Sequence, residues 1–295
     1  MSSSKPHESD PIAPYRRRLL GLAYRMLGSR SDAEDVVQDA YLRFIGAQDI
    51  QNPEAFLVTV VTRLCLDRLK SAKAQREDYV GPWLPEPVFD TEGLSSEAAT
   101  ELADDLSFAL LLALDRLSPL ERAAFLLHDV FDIPFSEVAA TIGRTETACR
   151  QLATRARRAV REERPAQAAT PDHHARLLQA FIEAVGNGDL SRLTRLLRED
   201  AVAVTDGGGR RSAALNPIHG ADRIARLFIG LAGKNADRDI RIAPAMVNGS
   251  VGALLYIDGE LDHTLSMSID GEQIAAVYVV RNPDKLRYAP ASTQH

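Results

Sequence analysis

The chain carries only two cysteines and one tryptophan, and no apolar run approaches the roughly 18–20 residues that span a bilayer. Each scarcity excludes something. Cys65 and Cys149 cannot build a disulfide framework and lack metal-ligand spacing. Both fall on apolar helical stripes and read as small core residues in a reducing cytoplasm. The missing apolar run excludes a transmembrane helix, and a polar N-terminus excludes a secretory signal. Residues 1–13 are expected to form a disordered tail, and no internal repeat is visible. No cofactor or metal is expected. A further absence is local: residues 81–105 hold seven acids (Glu86, Asp90, Glu92, Glu97, Glu101, Asp104, Asp105) and neither Lys nor Arg.

What is present suffices for packed cores, since 45% of the 295 residues are hydrophobic and the length leaves room for two or three domains. A net charge of −6 argues at first against a nucleic-acid partner. The distribution argues the other way, because basic residues concentrate at 16–76 and 144–164. Such a chain binds DNA weakly alone and relies on a partner for affinity. The second basic stretch reads as a helix-turn-helix. Ser136 is placed to cap a short helix burying Val138, Ala139 and Ile142, Gly143 supplies the positive φ of the turn, and Thr145 caps a longer helix to about residue 164. At about 100° per residue, Cys149, Leu152, Ala153, Ala156, Ala159 and Val160 share one side of that helix. Thr147, Arg150, Gln151, Thr154, Arg155, Arg157, Arg158 and Arg161 share the other. A solvated surface helix is the plain alternative. The turn glycine, small crossing residues and one-sided arginines together point to the major groove of DNA.

Composition divides the rest. Residues 14–80 are helical in pattern, 81–103 form an acidic linker broken by Pro82, Pro85 and Pro87, 104–164 are helical again, and 165–171 form a short connector. Residues 172–290 differ in character. Two amphipathic helices, a strand and a third helix precede about four antiparallel strands, with turns expected at Asn248-Gly249, Asp258-Gly259 and Asp270-Gly271. This predicts an α+β domain with helices on one face of a curved sheet.

Within 14–80, Asp32, Glu34 and Asp35 lie in the first turns of a helix, where its dipole favours acids. Val36, Val37, Ala40, Leu42 and Phe44 supply apolar surface, while Asp35, Gln38 and Asp39 stay exposed. Together with Asn52, Pro53, Glu54, Ala55, Phe56 and Leu57 and the stretch from Thr62 to Lys70, this resembles region two of bacterial sigma factors. The helix-turn-helix resembles their region four. With no region three between them, the chain resembles the extracytoplasmic-function (group four) sigma factors over residues 14–164. The resemblance implies that Asp35, Gln38 and Asp39 dock on the clamp helices of RNA polymerase core, whose flap receives region four. It implies that Asn52, Phe56, Arg63, Arg68, Lys70 and Lys73 meet the melted minus-ten element, where cationic groups hold phosphates and pockets hold flipped bases. Many relatives carry Asn in place of Arg63 and Trp in place of Phe56, so the minus-ten preference is left open. In region four, Arg150, Gln151 and Thr154 are the candidates for base edges, and Arg155, Arg157, Arg158 and Arg161 for phosphates.

Three further motifs stand outside that match. Trp83, Leu84, Pro85, Glu86 and Pro87 lie in the linker, where burying the one Trp contributes about 2–3 kcal/mol and so favours a docked position. Asp206, Gly207, Gly208, Gly209 and Arg210 follow a strand, and Asn282, Pro283, Asp284, Lys285 and Leu286 lie near the end. Together they resemble the SigJ-like subgroup with a SnoaL-like C-terminal extension. The implied fold is multidomain: two all-α sigma modules, then an α+β SnoaL-like (ketosteroid-isomerase-like) cone with a curved antiparallel sheet. The resemblance also implies a tail that replaces a separate anti-sigma protein and acts through the Trp83 linker on the spacing of the promoter-reading modules. Promoter DNA and polymerase core are the expected partners, in the cytoplasm and without a membrane. Asp206, His219, Tyr256, Asp262 and His263 keep two alternatives open, an isomerase-type enzyme and a small-molecule sensor; no enzyme activity is expected.

Overall fold

Proline and a left-handed glycine bracket the first helix: α1 (Ala13–Leu27) begins beside Pro14 and stops at Gly28, whose N–H reaches Tyr24 O. The computed structural model describes residues 11–77, 79–89, 105–163 and 169–290, without the side chains of 72–77 and Glu163. Most of the expected N-terminal tail, residues 90–103 of the linker, 165–168 of the connector and the side chain of Lys73 lie outside the described residues. Ser29 caps α2 (Arg30–Ile45) by accepting from Asp32 N at 3.2 Å. Asn52 caps α3 (Pro53–Glu77) by accepting from Ala55 N at 3.0 Å. In the second module Ser107 caps α4 (Phe108–Asp115), and a reciprocal Ser118–Glu121 box opens α5 (Pro119–Phe125), which runs into a π-helical turn at Leu126–Val130. The helix-turn-helix is α6 (Phe135–Ile142) and α7 (Glu146–Glu163).

These two modules share one apolar core, in which Leu22, Met26, Val37 and Val61 pack with Leu110, Phe125, Leu126, Cys149 and Ala153. Arginines pin the seam through carbonyls: Arg122 Nη1 donates to Met26 O at 2.5 Å and Arg18 Nη2 to Phe131 O at 2.7 Å. Both cysteines are free and buried, and burial pushes both thiols up. Leu42 departs from its expected apolar role, standing 54% exposed.

The C-terminal part opens with α8 (Pro171–Gly186) and α9 (Leu190–Leu196), then β1 (Leu197–Asp206), the short β2 (Ile218–His219) and α10 (Ala221–Lys234). Four strands follow: β3 (Ile240–Val247), β4 (Ser250–Ile257), β5 (Glu260–Asp270) and β6 (Gln273–Val280). Their order in one sheet is β2-β1-β6-β5-β4-β3. The hairpin strands are antiparallel as expected, but β1 lies parallel to β6, so the sheet is mixed. Alternating residues define faces, not the direction of a neighbour brought in by a crossover, which is why this pairing escaped the pattern. Asn248-Gly249 and Asp258-Gly259 form two-residue loops, with φ of 52° at Asn248 and 53° at Asp258. The third loop is Gly271-Glu272, because Asp270 still pairs with Gln273.

Both faces of the sheet are covered. On one, Leu265, Met267, Val277 and Val279 pack with Leu178, Phe181 and Ile224 of the domain's own helices. On the other, Val247, Tyr278 and Val280 pack with Leu84 of the linker, Phe108 of α4 and Leu286. The outer face is thus the seat for the rest of the molecule.

Candidate functional site

The recognition helix is set by its turn. Gly143 ends α6 with φ of 66°, and Thr145 Oγ1 accepts from Ala148 N at 3.2 Å to start α7. Ser136 does not cap α6; the cap position is Pro134, which has no side-chain hydrogen bond, and Ser136 stands exposed in the first turn. Cys149, Ala153, Ala156 and Val160 are buried, while Thr147, Arg150, Gln151, Thr154, Arg155, Arg158 and Arg161 are exposed together. Arg150 lies over the Phe135 ring at 4.6 Å, and Arg158 pairs with Glu162 at 2.9 Å. Arg157 is drawn toward the module's interior, 2.6 Å from Asp129.

The α3 candidates do not form one open basic patch. Asn52 is occupied as a cap, Phe56 packs by Phe44 with ring centroids 6.2 Å apart, and Lys70 pairs with Asp67 at 2.9 Å. Arg68 reaches back to α2, 2.8 Å from Asp32 and 3.6 Å from Asp35. Arg63 crosses to α6, donating from Nε to Thr141 O at 3.1 Å and from Nη2 to Ala140 O at 3.2 Å, beside a Thr59–Thr141 hydroxyl contact of 3.2 Å. Those carbonyls end a helix, where a cation is favoured. On α2, Asp35, Gln38, Asp39 and Leu42 are exposed on one face at helical spacing.

The three extra motifs meet. Trp83 lies on the backbone of Gly28, where an added Cβ would sit 2.5 Å from the indole, and Lys285 Nζ stands 4.4 Å from the ring on the Trp83 side of the network. Asp206, fully buried at the end of β1, accepts from Tyr79 Oη at 2.6 Å, from Leu84 N at 2.9 Å and from Lys285 Nζ at 2.7 Å. Lys285 Nζ also donates to Leu84 O at 2.5 Å, and Asn282 Nδ2 to Tyr79 Oη at 3.0 Å. Burial and then the hydrogen bond to Asp206 push the Tyr79 phenol up, so it remains a donor at neutral pH. Gly208 is required by close approach: a Cβ there would lie 2.2 Å from Asn282 Nδ2. Arg210 points outward, 64% exposed and 3.7 Å from Asp284, so it brackets the turn without joining the network.

Glu86 links this network to α2. Its Oε2 accepts from Arg30 N at 2.9 Å, Ser29 Oγ at 3.1 Å and Ser31 N at 3.4 Å, placing a carboxylate on the helix N-terminus. Its backbone N–H donates to Gly28 O and its carbonyl accepts from Tyr24 Oη, each at 2.8 Å. Pro85 and Pro87 are buried on either side.

Several contributors were not among the expected residues. Asn248, read only as a turn former, is buried: its side chain accepts from Val88 N at 3.1 Å and donates to Tyr24 Oη at 2.7 Å and Leu106 O at 3.0 Å. Tyr288 meets α2 through the Arg30 guanidinium at 4.9 Å and Glu34 at 3.3 Å. An Asn-Gly pair signals a hairpin, and nothing local signals what its tip will touch. Tyr79 and Tyr24 carried no signal beyond a polar group on an aromatic body.

The candidates for catalysis do not converge. Asp206 is held in the linker network, His219 is exposed on β2, and Tyr256 lies under Arg241 at 4.2 Å. Asp262 and His263 are 2.7 Å apart, but Arg281 grips Asp262 at 2.8 and 3.1 Å. Burial raises the Asp262 carboxyl, and the hydrogen bonds from His263 and Arg281 overcome it, leaving it well below the usual range and poorly basic.

Residues 12–75 match the Sigma-70 region 2 family and residues 107–160 match Sigma-70, region 4. The chain is 38% identical over 288 residues to a Mycobacterium tuberculosis protein, ECF RNA polymerase sigma factor SigJ, covering 93% of this chain and 92% of that one. It is 33% identical to a probable ECF RNA polymerase sigma factor, SigI, from the same species, covering 95% and 96%. Among solved structures, the crystal structure of M. tuberculosis SigJ is similar with a TM-score of 0.72 and 35% identity, covering 92% of this chain and 96% of that chain.

Proposed function

The chain belongs to the extracytoplasmic-function RNA polymerase sigma factors, and from that premise we propose how its parts divide the work and how the C-terminal domain governs them. It directs RNA polymerase core to promoters and starts transcription there. The exposed face of α7 reads the upstream element, with Arg150, Gln151 and Thr154 on base edges and Arg155, Arg158 and Arg161 on phosphates. The Asp35, Gln38, Asp39 and Leu42 stripe of α2 docks on the clamp helices of the core. Arg63, Arg68 and Lys70 serve the melted minus-ten strand once their intramolecular partners let go. The work takes place in the cytoplasm, and among the described residues no helix is long and apolar enough to cross a membrane.

The SnoaL-like domain acts in cis as a spacer that sets where region four sits relative to region two. The observation that carries this reading is Asp206 gripping the linker through Leu84 N while Lys285 grips Leu84 O. With the linker held, α6 stays over Arg63, and the upstream reader is open while part of the downstream reader is engaged. Ligand, polymerase or promoter that favours the released state shifts this balance by its differential affinity. The tail thereby takes the place of a separate anti-sigma protein.

Run-off transcription with core polymerase tests the reading by comparing the full chain, a truncation at Pro165 and Trp83→Ala. Release of the linker is expected to raise transcript yield from a cognate promoter several-fold for Trp83→Ala, with truncation also changing it. Equal yields from all three proteins would overturn the spacer role. No transcript from any promoter would overturn the residue assignments.

A further inference from the structure

The outer face of the C-terminal sheet is not filled completely where it meets region four. A cavity of about 220 Å³ lies between β5 and β6, the start of α8 and the first turn of α4, lined among others by Phe108, His174, Ser250, Ser266, Ser268 and Tyr278. Phe108, Val247 and Tyr278 of the lining belong to the outer-face cluster, while Met267 and Ile269 belong to the cluster that packs on the domain's helices, so the space draws on both and is shared between the C-terminal domain and region four. Two polar side chains of the lining are buried without partners: Ser266, 4% exposed, through Oγ, and His174, 9% exposed, through Nε2. Orphaned buried groups of this kind are uncommon and costly unless something in the cavity bonds to them.

The lining defines the chemistry. Hydroxyls and an imidazole present both donors and acceptors, and Phe108 and Tyr278, stacked with centroids 5.3 Å apart, provide an aromatic flank. Burial, and then His173, hold the His174 imidazole below its ordinary range and therefore neutral. Among the described residues that line the space there is no Lys or Arg, and the one acid, Asp105, accepts from Ser107 N at 2.9 Å. An anion finds no counter-charge, whereas a neutral ring bearing a hydroxyl finds both a stacking surface and hydrogen bonds. The volume corresponds to about seven waters, which suits a molecule of one ring.

We propose that this cavity is an effector site for a small neutral hydroxyaromatic molecule, shared by the C-terminal sheet and region four. Phe108 leads α4 and packs in the same cluster as Leu84 of the linker, so an occupant that parts Phe108 from Tyr278 works against the linker grip. Binding itself stands independently of the spacer reading; its effect on transcription rests on that reading.

Calorimetric titration of the full chain with phenol, and separately with benzoate, tests the site. Saturable phenol binding is expected, with benzoate at least about tenfold weaker. Ser266→Val and His174→Phe should each weaken phenol by about tenfold, the size expected from a lost buried hydrogen bond, with circular dichroism confirming that each variant is folded. No saturable heat with phenol, as for a cavity holding water only, overturns the site; so does benzoate binding equally well, or unchanged affinity in both variants. Run-off transcription with and without saturating phenol then tests coupling, and a yield that phenol leaves unchanged overturns it while the measured binding stands. A protein inactive both with and without phenol would instead count against the promoter-reading assignments.

Discussion

Between the two helical modules the contact is chiefly apolar, built from residues such as Leu22, Met26, Val61, Phe125 and Leu126. Between the linker and the C-terminal domain it is chiefly polar, built from Asp206, Lys285, Tyr79, Asn282 and Asn248 around a few apolar anchors. The difference teaches what each seam is suited to do. Apolar contact is non-directional and loses a little with each small displacement. A buried polar network is all or nothing, because each partner left behind is a desolvated, unsatisfied group. A seam meant to hold one spacing and then give it up is better made of the second material.

The comparison breaks most sharply at Asp206. Asp206→Ala removes one partner of a buried pair and is expected to cost about 3–5 kcal/mol, read as a drop in urea stability with loss of hydrogen-exchange protection at the Leu84 amide. Full protection at Leu84 in the variant would show that the linker is held by its apolar anchors instead. A smaller effect is expected at Gly28. Its φ of 70° and the indole against it make Gly28→Ala cost about 1–3 kcal/mol, and Trp83 emission should shift to the red as the ring is expelled. Unchanged emission would mean that the ring does not depend on this bare backbone. The smallest effect belongs to the apolar seam. Arg63→Ala deletes two partly exposed hydrogen bonds and should cost about 0.5–1.5 kcal/mol, with faster exchange in α6 and no change in Trp83 emission. A red shift in that variant would show the two seams to be one cooperative unit.

Much of the fold was legible because its signals are short-range. The turn at Gly143, the cap at Thr145 and the one-sided arginines of α7 lie within a few residues of what they determine, and the structure has them so. The pattern failed where two local options compete. Pro134 rather than Ser136 opens α6, and Gly271-Glu272 rather than Asp270-Gly271 turns the last hairpin, each a shift of one or two residues. Nor could it show that Arg63, Arg68 and Arg157, read as cationic surface, find partners within the chain in Thr141, Asp32 and Asp129. Charge type is visible in a sequence; the partner that engages it is not.

The sequence by itself determined the elements, their apolar faces and the family to which the modules belong. Helical and strand periodicities and end caps are set by neighbours in the chain, and a match in both helical modules confines the alternatives. Only the tertiary structure decided that the helical modules share a core, that β1 runs parallel to β6, and that the outer sheet face carries the linker. The reason is distance along the chain: Leu84 and Asp206, 122 residues apart, become hydrogen-bond partners only after the sheet, the linker and α1 have all taken their places.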